Sequence, residues 1–258
     1  MIKEFIYLEK DHHIAWLTLN RACKKNALNY EMWRAIPSLL EKAENDPHIK
    51  VLIIYSAVKN IFCAGADLSE FNLFITDEQA RDKNSLAMQA ASQAIEDFPK
   101  PTIAMISGPC MGGGCILALS CDLRFADKTS RFAIPPAKLG LVYSLADTRR
   151  LMDNVGPAAA KSLLYSAGVI NADKALQIGL INEIFSEEEI EQETRDYAKL
   201  ISNNSSHSLQ EIKKVTRRIQ SGIRDDDDLS RGIFKAAFDG QDHKEGVEAF
   251  LNKRKPSY

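Results

Sequence analysis

"GPCMGGGCILALSCD", residues Gly108 to Asp122, follows the apolar run "TIAMIS" and places three glycines, Gly112 to Gly114, directly before an apolar stretch. An apolar run, a glycine turn and a helix-forming stretch, in that order, read as a strand, a close backbone approach and a helix start. A helix start leaves N–H groups without intrahelical acceptors and adds partial positive charge, so this junction offers donors to an oxygen that gains negative charge. Just inside the helix stands Ile116, an alkyl group where an acid–base catalyst would be expected. The chemical question is which reaction uses an anion-binding turn with no carboxylate beside it.

A second stretch of the same kind lies upstream. "FCAGADLSEF", Phe62 to Phe71, comes after the apolar run "VLIIYS" and puts Ala64, Gly65, Ala66 and Asp67 just before an expected helical turn. Small residues in both loops allow one backbone N–H from each to converge on a single carbonyl oxygen. Two fixed donors suit a thioester carbonyl that turns into an enolate. Either loop alone is a weak signal, equally compatible with a tight turn.

Outward from these loops the chain alternates in type. "EFIYLEK" and "IAWLTLN" are predicted strands around the turn "DHH", "NYEMWRAIPSLLEKAEND" has helical spacing with Pro37 as a potential kink, and "VLIIYS" is a buried strand. A long amphipathic helix is expected over about Asp77 to Asp97, followed by the strand "TIAMISG" and the short strands "DLRFAD" and "SRFAI". Strand–helix alternation predicts an α/β fold with right-handed βαβ winding. From about Gly156 helix follows helix, with "NADKALQIGLINEIF" as an N-cap, short helix, glycine stop and strand. The expected division is a core over residues 1–200 and a helical region over 201–258 that packs on the core or on a neighbouring subunit. The run Asp225 to Asp228 precedes a predicted helix and reads as a solvated N-terminal cap, not a metal site.

Composition narrows the function classes. The 258 residues are 45% hydrophobic and carry a net charge of −2, which supports a substantial core and gives no electrostatic case for a nucleic-acid partner. The start "MIKEFIYLEK" has no apolar leader core, and no run approaches the roughly 20 apolar residues of a membrane span. Cys23, Cys63, Cys110, Cys115 and Cys121 form an odd set without metal spacing and read as reduced cytoplasmic thiols. His12, His13, His48, His207 and His243 read as surface or turn residues.

Taken in order, "RACKKNALN", "FCAGADLSEF", "KPTIAMISGPCMGGGCILALSCDLRFAD", "RFAIPPAKLGL", "NADKALQIGLINEI" and "KEGVEAFLNKRKPSY" resemble the enoyl-CoA hydratase/isomerase (crotonase) superfamily over nearly the whole chain. The resemblance implies the crotonase fold, a spiral of ββα turns with a C-terminal helical trimerisation region, assembled as trimers or dimers of trimers. It also implies an acyl-CoA thioester substrate, with coenzyme A as part of the substrate and no permanently bound cofactor. By the same resemblance the N–H groups of Ala66 and Gly113, next to Gly112, form the oxyanion hole. Coenzyme A would lie along Lys24, Ala64, Asp67 and Leu68, and Phe238 and Lys253 match positions where a C-terminal helix touches the nucleotide.

The chain departs from the family pattern at the acid–base positions. Hydratases of the family use two glutamates to place and activate water, and this chain has Ile116 and Pro136 there, neither able to transfer a proton. The segment "LGLVYSLADTRRL" from Leu139 brings Tyr143, Ser144 and Asp147 towards the acyl group. Tyr143 is read as orienting the acyl part, against a purely packed tyrosine. Asp147 is read as a dipole-compensating or Arg149/Arg150-paired group ahead of a base. This loop most resembles methylmalonyl-CoA decarboxylases, in which a tyrosine after "LG" contacts the substrate carboxylate, although those enzymes carry a histidine where this chain has Ala66. Loss of CO₂ makes the enolate directly and needs no base. Two readings stay open beside it: a hydratase- or isomerase-like activity with a non-standard acid, and an inactive acyl-CoA-binding homologue.

Overall fold

The computed structural model describes residues 5–258; Met1 to Glu4, where the leader reading begins, lie outside the described residues. The chain opens with β1 (Ile6–Asp11) and β2 (Ile14–Leu19), an antiparallel hairpin turning at His12 and His13. Next come α1 (Tyr30–Glu44), β3 (Val51–Ser56), the short α2 (Phe71–Thr76) and the long α3 (Glu78–Asp97). The following turn holds β4 (Thr102–Ile106), β5 (Pro109–Met111), α4 (Gly113–Leu119), β6 (Leu123–Asp127) and β7 (Arg131–Ala133). Beyond them lie α5 (Leu145–Ser166), β8 (Val169–Asn171), α6 (Ala172–Gln177), β9 (Glu183–Phe185) and the helices α7 (Ile190–Ser202), α8 (Ser206–Gln220), α9 (Asp228–Asp239) and α10 (Gln241–Leu251).

Six strands form the main sheet in the order β1-β2-β3-β4-β6-β9, parallel from β2 onward, and β5-β7-β8 form a second, smaller sheet. This is a mixed α/β architecture with a largely parallel sheet, as the motif order implies. The apolar alternation in the strands sorts the core: Leu52 and Ile54 join the main cluster with α1, α3 and α4, whereas Val51 and Ile53 face the second cluster, covered by Ile190 and Ala198 of α7. Local signals set the helix ends. Asn29, Asp77, Asn171 and Asp227 each accept a backbone N–H at a helix start, and Asp227 with Ser230 completes a capping box, the role expected of the aspartate run. Pro37 sits inside α1, and α5 breaks at Gly156, whose φ of 73° leaves helical space. Among the described residues no helix is long and apolar enough to cross a membrane, no His/Cys/Asp/Glu group could hold a metal, and the five cysteines are free.

The spiral brings consecutive turns into register. After β3 the chain pairs Cys63 in parallel with Cys110 of β5, and β5 pairs in parallel with β7 one turn further on. Helix α4 is seated directly on this junction, because a Cβ on Gly114 would lie 2.8 Å from the Cys63 Cβ and 3.0 Å from its carbonyl oxygen. A methyl group there must push the helix off the loop. Gly114→Ala is expected to lower unfolding free energy by about 1–3 kcal/mol, read from urea denaturation midpoints.

Candidate active site

The site is built by backbone before any side chain enters. Cys63 N–H donates to Pro109 O at 2.9 Å, and Met111 N–H donates back to Cys63 O at 2.9 Å. Ala66 and Gly113 each stand three residues beyond this pair, on neighbouring turns. On the outer side Leu28 N–H donates to Gly65 O at 2.7 Å, and Asp67 N–H donates to Leu28 O at 2.9 Å. In a parallel bridge of this form the middle residue, Ala66, turns its own N–H away from the partner strand. Gly113 opens α4, so its N–H has no acceptor within the helix. Among the described residues neither amide has a backbone acceptor.

The two amides border one small space. A Cβ built on Gly113 would lie 3.4 Å from Ala66 N, and one on Gly65 would lie 3.6 Å from Gly113 N. Glycine is required at two points of this geometry. Gly65 has φ +103° with its hypothetical Cβ 2.9 Å from Met111 O, and Gly112 has φ +47° while its N–H donates to Ala133 O at 2.9 Å.

The side chains expected at the acid–base positions are neutral. Ile116 is buried and stands outside the main apolar cluster, and Pro136 is buried in the turn after β7. Tyr143 packs against the main cluster, and its hydroxyl is buried with no hydrogen-bond partner. Burial, with Cys115, Asp147 and Cys110 close by, pushes the Tyr143 phenol well above its ordinary value, so it stays protonated. Burial likewise pushes the Cys63 thiol up to about 12 and holds Cys110 well above the ordinary thiol range.

Every nearby carboxylate is already committed. Ser144 caps α5: its Oγ accepts Asp147 N–H at 3.1 Å and donates to Asp147 Oδ2 at 2.6 Å. Arg150 Nη1 donates to Asp147 Oδ1 at 3.0 Å, and Arg150 and Arg149 both reach Glu96 at 2.6 Å. Ser144 therefore spends its hydroxyl on the helix start, and Asp147 is the paired group, not a free base. Glu70 accepts the Tyr30 N–H at 3.1 Å, at the start of α1.

Asp67, expected along coenzyme A, turns its side chain inward. Its carboxylate takes Arg21 Nη1 at 2.6 Å and the Ser69 N–H at 3.0 Å. The outward-facing residues form a rim instead: Lys24, Ala64 and Leu68 are exposed, and Ala64 N–H donates to Lys25 O at 3.0 Å, tying the two segments together. Phe238 lies in another groove, lined by Phe234, Val247, Phe250 and Tyr258 among others, and it stacks on His243. None of the rim residues lines that groove, and Lys253 follows α10 on the same exposed section. The five histidines are exposed, as expected. Two residues that bound the site escaped the sequence reading. Arg21 braces the first loop, and the edge of Trp33 would touch a Gly113 Cβ at 3.2 Å. In the sequence Trp33 is one apolar position of an amphipathic helix, with nothing to mark it.

Burial alone would raise the Asp67 carboxyl, but hydrogen bonds from Ser69 and Arg21 outweigh it and hold the group down at about 2. A depressed carboxyl contributes stability above its unfolded value near 3.9 and loses it as pH falls towards 2. Asp67→Asn is expected to cost about 3–5 kcal/mol at pH 7, because it leaves Arg21 buried without a counter-charge. The gap between wild type and variant should shrink between about pH 4 and 2 in acid-titrated urea melts.

Comparison with known proteins extends the likeness to the whole chain. The family profile described as Enoyl-CoA hydratase/isomerase matches residues 9–258. A crotonyl-CoA hydratase of Syntrophomonas wolfei is 37% identical, covering 100% of this chain and 99% of that enzyme. A short-chain-enoyl-CoA hydratase of Clostridium acetobutylicum is 33% identical over 97% of this chain and 95% of its own length. A crystal structure described as an enoyl-CoA hydratase/carnithine racemase from Magnetospirillum magneticum superposes with a TM-score of 0.94 at 31% identity, covering 98% of this chain and 95% of that one. On sequence, fold and loop geometry together, the chain belongs to the enoyl-CoA hydratase/isomerase family.

Proposed function

We propose that this protein stabilises the enolate of an acyl-CoA thioester at the Ala66 and Gly113 amides, and that it forms this enolate by decarboxylating a 2-carboxyacyl-CoA of the malonyl or methylmalonyl type. One observation carries the reading: two unpartnered amides border one space, and among the described residues Asp67 and Asp147, the carboxylates of the two expected site segments that sequence reading singled out, are both ion-paired. The relatives named above as hydratases of crotonyl- and short-chain-enoyl-CoA support a CoA thioester as the substrate. Coenzyme A then enters as part of the substrate along Lys24, Ala64 and Leu68, and no resident cofactor is needed.

The chemistry follows from what the residues can do. The thioester oxygen accepts from both amides, and Tyr143, held protonated by its burial, donates to the carboxylate on C2. Holding the C2–carboxylate bond perpendicular to the thioester plane aligns it with the carbonyl π system. The bond then breaks, its electron pair enters the C1–C2 bond, and charge accumulates on the oxygen between the amides as CO₂ departs. A proton from solvent at C2 completes the acyl-CoA product. Neutral donors suit this step, because an arginine on the leaving carboxylate would hold it in its charged ground state. The C-terminal helices expose Phe234, Phe238, Phe250 and Leu251, and we assign residues 201–258 to packing between subunits of a trimer or a dimer of trimers.

A second reading rests on the relatives' names: water addition to a 2-enoyl-CoA with Asp147 as the acid–base group. The Arg150 and Ser144 bonds to Asp147 weigh against it. Assayed on malonyl-, methylmalonyl- and crotonyl-CoA, the protein should release CO₂ from a 2-carboxy thioester and leave crotonyl-CoA unhydrated. Hydration of crotonyl-CoA without CO₂ release from either acid would overturn the proposal. Gly113→Ala, whose methyl group lands against Ala66 N, should lower kcat by at least about 100-fold. Tyr143→Phe should lower kcat/KM about 10- to 100-fold, the worth of one hydrogen bond to a charged group. With the phenol raised rather than lowered, its active neutral form persists through neutral pH, so kcat should stay flat from about pH 6 to 9.

A further inference from the structure

Tyr143 is not the only buried donor left open near the amides. The Trp33 indole Nε1 and the Ser92 hydroxyl are buried without a partner, as is one acceptor, Asn84 Oδ1. Trp33 belongs to α1, and Asn84 and Ser92 to α3, two helices that pack against one another. Asn84, Met88 and Ser92 recur every four residues on α3, so they share one face; continued by one turn, that face reaches Glu96, which Arg150 binds at the start of α5. Tyr143 lies just before that start. Trp33 Nε1 on α1 and Asn84 Oδ1 and Ser92 Oγ on α3 are thus buried and unpartnered on two helices packed together, one of which, α1, also touches the Gly113 position. Native interiors leave few such atoms unsatisfied, because each carries a desolvation cost.

Trp33 is tied to the amides most directly. Its Cζ2 would lie 3.2 Å from a Cβ on Gly113, and that same Cβ position is 3.4 Å from Ala66 N. Nε1 is two bonds from Cζ2 in a rigid ring, so the unpartnered indole N–H belongs to the same ring edge that approaches Gly113. It can only donate. The two arginines described above are held by carboxylates: Arg150 by Asp147 and Glu96, and Arg21, through Nη1, by Asp67.

We infer that the Trp33 indole N–H is a third donor of this site and that its acceptor is the carboxylate carried on C2 of the acyl group. This rests on the proposed substrate class and adds a residue that sets it. With the thioester oxygen between the amides, a C2 carboxylate is the next oxygen-bearing group along the acyl chain. An indole N–H and a phenol O–H then fix its orientation without a full counter-charge. Trp33 is a specificity-determining residue of the acyl compartment, and a saturated acyl group would leave its N–H unpaired. Such an unpaired donor discriminates against the analogue that lacks the acceptor.

The test uses the full chain and two ligands that cannot lose CO₂: propionyl-CoA, and its analogue with a sulfonate on C2. Trp33→Phe keeps a ring and removes the N–H. Calorimetry should show wild type preferring the sulfonate ligand, and the variant losing about tenfold or more of that preference while binding propionyl-CoA as before. Its melting temperature should hold or rise, since an unsatisfied buried donor is gone. An independent readout needs no variant that folds well. The chain has two tryptophans, and in ¹⁵N-indole spectra one Nε1–H resonance should move downfield with the sulfonate ligand and not with propionyl-CoA. An unchanged preference in the variant, or a resonance indifferent to the sulfonate, would overturn the inference. Failure of wild type to release CO₂, with both Trp33 signatures present, would overturn the decarboxylation and leave the carboxylate-binding role standing.

Discussion

Two backbone hydrogen bonds, from Cys63 N–H to Pro109 O and from Met111 N–H to Cys63 O, set the register between successive turns of the spiral. Because Ala66 and Gly113 lie three residues beyond this pair on their own turns, fixing the register fixes both amides at once. The Leu28 bridge then decides which way the Ala66 N–H faces, and the first turn of α4 decides the same for Gly113. Small residues follow from this closeness. A side chain at Gly65 would meet the Met111 carbonyl, one at Gly114 would meet Cys63, and one at Gly113 would fill the space between the donors. The glycines permit two main chains to approach as near as a shared ligand atom demands.

Charge is distributed so that the donors act on a neutral background. The carboxylates of the first loop hold the scaffold, Asp67 on Arg21 and Glu70 on the start of α1. Those at α5 form a chain of ion pairs from Asp147 through Arg150 and Glu96 to Arg149 and Asp153. Ile116 and Pro136 are buried and carry no proton-transfer group, and burial keeps the Cys63 and Cys110 thiols and the Tyr143 phenol protonated. A site of this kind can stabilise a negative oxygen but has little means of taking a proton from carbon. That asymmetry favours a reaction in which a departing group, not a base, supplies the electron pair.

Much of this was legible in the residues and some was not. The strands β1 to β4, β6, β7 and β9 and the helices α1, α3, α4 and α6 to α9 follow from apolar period and caps, whereas the short β5, β8 and α2 carry too few residues to show a period. The glycine runs announced close backbone approach, and the motif order identified the family. The paired state of Asp147 follows from its place near a helix start with Arg149 and Arg150 as candidate partners, and the fold selects Arg150. Other features depend on contacts far apart in sequence. Asp67 meets Arg21 across 46 residues, so nothing local turns its side chain inward. Trp33 sits among apolar neighbours on α1, and only the folded chain shows that its edge lies against Gly113.

The central claim is that one thioester oxygen is held by both amides, and a crystal structure of the protein with a bound acyl-CoA tests it most directly. The account predicts that oxygen at about 2.7–3.1 Å from both Ala66 N and Gly113 N, with the acyl group running towards Tyr143. An oxygen out of reach of either amide, with the thioester lodged elsewhere on the chain, would contradict it.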